Sequence, residues 1–580
     1  MTAPTPQGPL EADLARRIAE TGTLGRLLRA RAAEHGAAPM LIAPSRLYPA
    51  EADGLAVTSF AAMAAGAERL ARALVAAGVG PGDGVGVLAG NTAVTEAHLV
   101  QYAAALAGAV LVPINPRYGD EDLDHAIALG RLKIAFAEPG LMPRLAAAAM
   151  RTDGRIRTVD LGAGLAGLMV DADAGLALPE VAPEAVADLI FTSGTTGRPK
   201  AVEHSHSSAV ATGAIFGTAL GLTPDDRHHH AVPFFTSSGV HFNPLAALWA
   251  GAAMIVEPVF DAARILARIA ARRSTVLLSV PSGFLYLLDA LARAGGDAPD
   301  LSSIRLWNYG GAAMPQEAVA ALARRFPAVD QRQNYGMTET GPTGTMLLPH
   351  EVLARPGSVG RPMPLCRVRI TDAGGCVLPA AAAGEIEILS PANMIGYRDA
   401  PEATAETIRD GWVRTGDWGR IDADGHLHHL DRLKDVIVRG GLKIAARRVE
   451  DVLHRIPGVF EAAVIALPHP RLGEDVAAVV VRTAPDTTED LGTTEDPGTT
   501  EDPGTTEDIE TDEHFIARLQ AAAAAVLADY EIPRRVFLTD ALPRNPLGKV
   551  LKTELRRLHA GAAPPYRHDL HPQDLHPSHG

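Results

Sequence analysis

The residues Thr192-Ser193-Gly194-Thr195-Thr196-Gly197-Arg198-Pro199-Lys200 directly follow the apolar run Leu189-Ile190-Phe191. Glycine lets the chain turn without a Cβ in the way, so a strand that ends here exposes backbone N–H groups. The hydroxyls of Thr192, Ser193, Thr195 and Thr196 add donors, and Lys200 adds a positive charge. Such a loop can hold a polyphosphate. It is not the pattern G-x-x-x-x-G-K-[ST], because Pro199 separates the glycine from the lysine and no Ser or Thr follows. The plain alternative is a flexible polar surface loop. A buried strand in front and Pro-Lys behind argue against it.

Further stretches of small, charged and aromatic residues follow downstream. Gly310-Gly311-Ala312 closes an expected strand, and its small residues let a flat ring lie against the backbone, although Gly-Gly also makes plain turns. Then come Asn334-Tyr335-Gly336-Met337-Thr338-Glu339, Gly411-Trp412-Val413-Arg414-Thr415-Gly416-Asp417, Asp431-Arg432-Leu433-Lys434-Asp435 and Pro543-Arg544-Asn545-Pro546-Leu547-Gly548-Lys549. Taken singly, these read as a turn with a solvated Glu, a polar strand, a charged linker and a polar loop.

Together, and in this order, they resemble the motifs of the adenylate-forming superfamily, in the branch of acyl-CoA synthetases and AMP-dependent ligases. The resemblance covers roughly residues 20–560 and implies a role for each stretch. The loop Thr192–Lys200 cradles the phosphates of ATP. Gly310, Gly311 and Ala312 lie beside adenine and the acyl group. With Asn334 and Gly336 in the same nucleotide-binding motif, Tyr335 stacks on adenine, Thr338 touches the α-phosphate and Glu339 holds Mg²⁺, which offsets the charge of ATP. Asp417 accepts hydrogen bonds from both ribose hydroxyls, as a carboxylate can, and Arg432 reaches the same ribose. Lys434 is the hinge about which a small C-terminal domain turns between half-reactions. Gly440 and Gly441 flank the path of the acceptor thiol. Lys549 bridges the substrate carboxylate and the α-phosphate, where charge builds as pyrophosphate leaves. Lys552 and Arg556 read as surface charge on the last helix.

The implied reaction is ATP- and Mg²⁺-dependent adenylation of a carboxylic acid, followed by transfer to a thiol, with CoA as the expected acceptor. Two departures keep other acceptors open. Thr236 stands in Pro233-Phe234-Phe235-Thr236 where the family carries His, and His241 lies five residues on. The stretch Gly440-Gly441-Leu442-Lys443-Ile444-Ala445-Ala446 lacks the polar Glu-Asn-like pair that the family has after the glycines and carries Ala446 where it has Pro. The alternatives are a carrier-protein thiol, an amine, or a small-anion substrate such as nitrite in diazotisation; a non-catalytic nucleotide-binding homologue is the remaining reading. Phe234, Phe235, Trp307, Asn308, Tyr309 and Met337 are candidate liners of the acid pocket, and their mixed character suits a small or aromatic acid. His228-His229-His230 makes a poor metal site, since consecutive residues point in different directions.

The elements that must position these groups read as α/β. Strands near Val57, Val85–Leu88, Ala109–Ile114 and Lys133–Ala137 alternate with helices over Leu24–His35, Thr92–Ala107 and Asp120–Leu129. The rhythm resumes after Lys200, with strands at His230–Pro233, Ala252–Val256, Val276–Val280 and Ile304–Asn308. That alternation predicts a largely parallel sheet with helices on both faces. From Gly357, short strands between Gly, Asp and Pro turns predict a barrel-like antiparallel piece. The whole is a large N-terminal domain of two α/β subdomains and a small β-barrel-like subdomain, followed by a small, mobile α+β domain. The expected limits are a polar lead-in over 1–20, the AMP-binding domain over 21–430, a hinge over 431–435, the C-terminal domain over 436–560 and a disordered tail over 561–580. Residues 487–510 repeat Thr-Thr-Glu-Asp with nine acids and no base, and read as a disordered insert.

Composition agrees with this reading. The 580 residues exceed one ordinary core. A net charge of −15 argues against non-specific nucleic-acid binding. Cys366 and Cys376 form no Cys-x-x-Cys pair. No apolar block is long enough to span a bilayer, so a cytoplasmic monomer or homodimer is expected.

Overall fold

A computed structural model describes residues 4–152, 154–170, 172–192, 198–312, 314–433, 435–440, 442–483, 511–544 and 550–560. The chain divides into two units, one of residues 1–415 and 419–429, the other of residues 416–418 and 430–580. The class is mixed α/β, as the strand–helix rhythm predicts.

Two sheets organise the large unit. In the first, Pro39–Ala43, Ala253–Val256, Arg227–His230, Val276–Ser279, Leu306–Gly310 and Asp330–Gly336 lie side by side and parallel. Antiparallel strands extend it: Ala56–Ser59 at one end, Gly344–Leu347 and Ser358–Pro362 at the other. In the second, Arg157–Asp160, Leu132–Ala137, Gly84–Leu88, Val110–Ile114 and Val186–Thr192 run parallel. Lys200–Ser205 then folds back on Val186–Thr192, and Gly396–Tyr397 pairs with its outer edge. The sequence reading does not contain Lys200–Ser205 as a strand; its polar residues hide a segment whose Ala201 and Val202 are buried.

Helices start where side chains cap them. Ser59 accepts the Ala62 N–H ahead of Phe60–Ala76, and Ser205 accepts the Ser208 N–H ahead of His206–Ala219. Helix Val94–Ala107 is buried on every side, Glu96, His98 and Gln101 included. Glu96 is tolerated there because its Oε1 accepts from Ser45 Oγ, Arg46 N and Leu47 N. Residues Gly8–Thr21, within the stretch read as a polar lead-in, form a helix that buries Leu14 and Ile18. Its Glu11 accepts from the Leu365 N–H and pairs with Arg367, a long-range contact that local composition does not reveal. The pairings that Ser358–Pro362, Arg367–Thr371 and Gly396–Tyr397 make are antiparallel, for example Arg367–Thr371 with Gly384–Leu389.

In the small unit, Leu442–Ile444, Ile437–Arg439, Gly473–Arg482 and Val459–His469 form an antiparallel order, with Arg535–Leu538 parallel beside Gly473–Arg482. Strand alternation sends Val476, Ala478 and Val480 to one apolar cluster and Ala477, Val479 and Val481 to another. Helices Ala446–Leu453 and Asp512–Ala524 cover the first face through Val449, Leu453, Phe515 and Leu519, and Leu555 of helix Lys552–His559 packs on the second.

Candidate active site

The loop expected to hold phosphate is the connection of a β-hairpin. Thr192 and Lys200 face each other in register at its base. Ser193, Gly194, Thr195, Thr196 and Gly197 lie outside the described residues, as do Lys434, Gly441 and Lys549. The Lys200 ammonium sits 4.9 Å from the centre of the Tyr397 ring.

Tyr397 ties that strand to the second motif. Its hydroxyl donates to Glu339 Oε1 at 2.8 Å, and its backbone pairs with Val202. Burial, then the charge of Glu339, pushes its phenol well above the ordinary range. Glu339 is buried in the short turn Thr338–Thr340, where its carbonyl accepts the Met394 N–H and the Thr338 carbonyl accepts from His204 Nε2 at 3.0 Å. Gly341 ends the turn with φ +62, and a Cβ there would meet Thr212 Oγ1 at 2.5 Å and the Ala392 carbonyl at 2.7 Å. Only glycine fits both demands. A carboxylate whose plane is fixed by a tyrosine hydroxyl suits a Mg²⁺ ligand, so Glu339 fits the group expected there.

Gly310 and Asn334 are register partners on neighbouring strands, and a Cβ on Gly310 would meet the Asn334 amide at 2.6 Å. Gly311 has φ +78 and, with Ala312, is exposed. Tyr335 lies 5.5 Å from the His429 ring, and a Cβ on the neighbouring Gly336 would clash with the Pro342 carbonyl. The large unit thus brings together Lys200, Thr338 and Glu339 through Tyr397 and His204, and Gly310 with Asn334. In the small unit, Arg432 Nε pairs with Asp417 Oδ1 at 3.5 Å, and the Gly440 N–H donates to the Leu472 carbonyl.

The acid-pocket candidates separate. Trp307 and Tyr309 point to the opposite face of their strand from Asn308 and pack on Phe284, 5.9 and 5.8 Å between ring centres. They belong to a core and leave the pocket. Asn308 shares a row with Leu278, His230 and Val256, on the face packed against Val240 and Phe242. His230 Nε2 and Asn308 Oδ1 are buried there without a hydrogen bond, as is Ser237 Oγ just ahead of the π-turn Ser238–Phe242.

Thr236 turns inward: its hydroxyl donates to the Pro233 carbonyl at 2.8 Å and accepts the Gly239 N–H. His241 lies in the π-turn Ser238–Phe242, fully buried, and donates to Asp188 Oδ2 at 2.7 Å. In the histidine run, His229 bonds Ser274 and Glu257 on one face while the His228 and His230 rings meet on the other. Among the described residues no group of three or more His, Cys, Asp or Glu could hold a metal.

Lys552 and Arg556 are not surface charge. Lys552 pairs with Glu450 at 2.8 Å with its side chain 16% exposed, and Arg556 pairs with Asp435 at 2.6 Å. The spacing of Lys552 from Lys549 carries no sign of this; the partners lie 102 and 121 residues upstream. Sequence reasoning also missed Tyr397, His204 and Asp188. A charge at Asp188, inside the buried run Ala187–Ile190, was the available signal, because a buried carboxylate needs a partner.

Models of two families match the chain: AMP-binding enzyme over residues 28–398 and the AMP-binding enzyme C-terminal domain over residues 448–549. A feruloyl-CoA synthase from Amycolatopsis is 34% identical over 508 residues, covering 87% of this chain and 94% of that one. An indoleacetate–CoA ligase from Aromatoleum aromaticum is 32% identical over 508 residues, covering 86% and 93%. The crystal structure of ATP-bound MatB from Rhodopseudomonas palustris superposes with a TM-score of 0.77 at 31% identity, covering 93% of this chain and 99% of that chain. No helix among the described residues is long and apolar enough to cross a membrane.

Proposed function

The chain belongs to the adenylate-forming AMP-binding enzymes, as an ATP-dependent, AMP-forming acid–CoA ligase, and on that premise we propose that the acid it activates is small or aromatic and carries a polar group. The observation that carries this is the row of His230 and Asn308, whose buried Nε2 and Oδ1 have no hydrogen-bond partner although His230 Nδ1 accepts from Val232 N and Asn308 Nδ2 donates to the Arg332 carbonyl. A long alkyl chain would leave these groups unsatisfied at a cost of about 1–3 kcal/mol each, whereas a substrate hydroxyl, ether or ring nitrogen answers them. Relatives named for ferulate and indoleacetate support an acid of this kind.

In this reading Lys200 and the hairpin loop orient the triphosphate, Thr338 binds the α-phosphate, and Glu339 would hold Mg²⁺, which supplies charge neutralisation when bound. Tyr335, Asn334, Gly336 and Gly310–Ala312 hold adenine, and Asp417 with Arg432 holds ribose. The carboxylate oxygen attacks the α-phosphorus, the bond to the β-phosphate oxygen breaks, and pyrophosphate leaves. Lys549 stabilises the charge on those oxygens. The small unit then turns about Lys434, and the CoA thiol, passing Gly440 and Gly441, displaces AMP.

A pyrophosphate-release screen over aromatic, hydroxylated, short and long-chain acids, each with and without CoA, tests the reading. Turnover should favour aromatic or polar acids. A preference for unsubstituted long-chain acids would overturn it.

A further inference from the structure

Three buried side chains on separate segments converge beneath the Thr338–Glu339 turn. Asp188 lies on the strand that enters the phosphate hairpin, His204 on the strand that leaves it, and His241 in the π-turn Ser238–Phe242. All three are essentially inaccessible. His241 Nε2 donates to Asp188 Oδ2 at 2.7 Å. The His241 and His204 rings meet nearly at right angles, 4.7 Å between centres. His204 Nε2 reaches the Thr338 carbonyl at 3.0 Å.

We propose that His204, braced by the Asp188–His241 pair, is a positioning residue for adenylation: its Nε2–H holds the Thr338 carbonyl and so fixes the direction of the Thr338 hydroxyl and the Glu339 carboxylate. A carbonyl only accepts, so the proton must be on Nε2. Burial, then the neighbouring His241, holds the His204 imidazole down at about 3, so it stays a neutral donor. The turn Thr338–Thr340 is a single 3₁₀ turn, closed locally by the Gly341 N–H on the Thr338 carbonyl and by the Thr340 hydroxyl on the Met337 backbone. It is held from three sides: His204 on the Thr338 carbonyl, the Met394 N–H on the Glu339 carbonyl and Tyr397 on the Glu339 carboxylate. Two of these holds come from the strand Lys200–Ser205 or from its edge partner Gly396–Tyr397. The strand Lys200–Ser205 and its edge partner are thus joined to the Thr338–Glu339 turn by two hydrogen bonds, and the inference rests on the reading of Glu339 as the Mg²⁺ ligand.

The test compares His204→Gln, which keeps an N–H donor, with His204→Met, of similar size and without one, in the full chain. ATP binding is measured by calorimetry with and without Mg²⁺, beside a thermal melt. His204→Met should weaken Mg-ATP binding about fivefold, the value of one lost neutral hydrogen bond, and weaken binding of ATP without Mg²⁺ less, through the Thr338 hydroxyl alone. His204→Gln should stay near wild type, and His204→Asn serves as the donor-bearing variant if Gln does not fold. Equal weakening in both variants, or a lowered melting temperature with the Mg²⁺ effect intact, would make His204 merely structural and overturn the proposal. Glu339→Gln separates the two levels. Loss of the Mg²⁺ effect in Glu339→Gln with none in His204→Met removes the positioning role alone. An intact Mg²⁺ effect in Glu339→Gln removes the site reading and the inference with it.

Discussion

Strand Gly473–Arg482 in the small unit and strand Arg227–His230 in the large unit are both central and both buried, yet they bury different chemistry. The first sends Val476 and Val480 one way and Val479 and Val481 the other, so both faces meet aliphatic side chains. The second sends His229 to Ser274 and Glu257 and turns His228 and His230 toward Phe242. The small unit keeps its ion pairs at the margin of an aliphatic core, as Lys552 with Glu450 and Arg439 with Asp475. The large unit threads polar groups through its interior: Glu96 under three donors, Glu257 between His229 and Arg268, and Asp188 with His241. Buried polar contacts add little net stability, but each is costly to break. The difference teaches that the large unit, which carries the Thr192–Lys200 and Asn334–Glu339 stretches, spends stability on directed groups, while its companion is held by volume.

The largest way to break this contrast is acid. Burial holds His98, His206 and His228 down at about 4 and His204 at about 3, and His230 well below its ordinary value. In the unfolded chain each takes a proton near its usual 6.5, while the folded form refuses it, so stability is full above that value and falls as pH drops toward 4. Each such histidine costs roughly 1–2 kcal/mol between pH 7 and pH 5. Hydrogen exchange at the two pH values should show the large unit losing several kcal/mol and the strands of the small unit far less; equal losses would break the comparison.

Next in size is Lys552→Met. It leaves Glu450 buried beside Asp431, whose carboxyl burial already raises, and should destabilise the small unit by about 3 kcal/mol. Exchange protection across Val459–His469 and Gly473–Arg482 reads it; an unchanged profile would mean that the pair is solvated. Gly341→Ala in the large unit adds a Cβ at positive φ against Thr212 and Ala392. A loss of about 2 kcal/mol, with weaker Mg-ATP binding, is expected in a melt and a calorimetric titration. The smallest effect is Ile465→Val in the small unit, about 1 kcal/mol by denaturant titration. A core held by volume responds in proportion to the methylene removed, and a much larger loss would argue for directed packing there too.

What could be read from residue order divides along the same line. Alternation along Val476–Val481 announces a two-faced strand, and helix Leu24–His35 follows from its apolar spacing, because both periods are local. Gly310, Tyr335 and Glu339 stand out because the stretches that hold them resemble, in order, motifs of the adenylate-forming family. Lys200–Ser205 escapes notice because Lys, Glu, His and Ser mask a strand whose burial comes from neighbours far away in the chain. Trp307 and Tyr309 were misplaced in the pocket because the pleat direction at Asn308 is set by pairing with Val276–Ser279 and Asp330–Gly336, not by the residues themselves.

The sequence by itself determined the α/β class and, through its resemblance to the adenylate-forming enzymes, the reaction family, since the strand–helix rhythm and each matching stretch depend on residues within a few positions of one another. Only the tertiary structure decided which groups hold those motifs in place. Tyr397 on Glu339, His204 under Thr338, Asp188 on His241 and Lys552 on Glu450 join residues 53 to 134 positions apart. Hydrogen bonds and ion pairs act over about 3 Å in space, and the distance along the chain places no limit on which atoms meet.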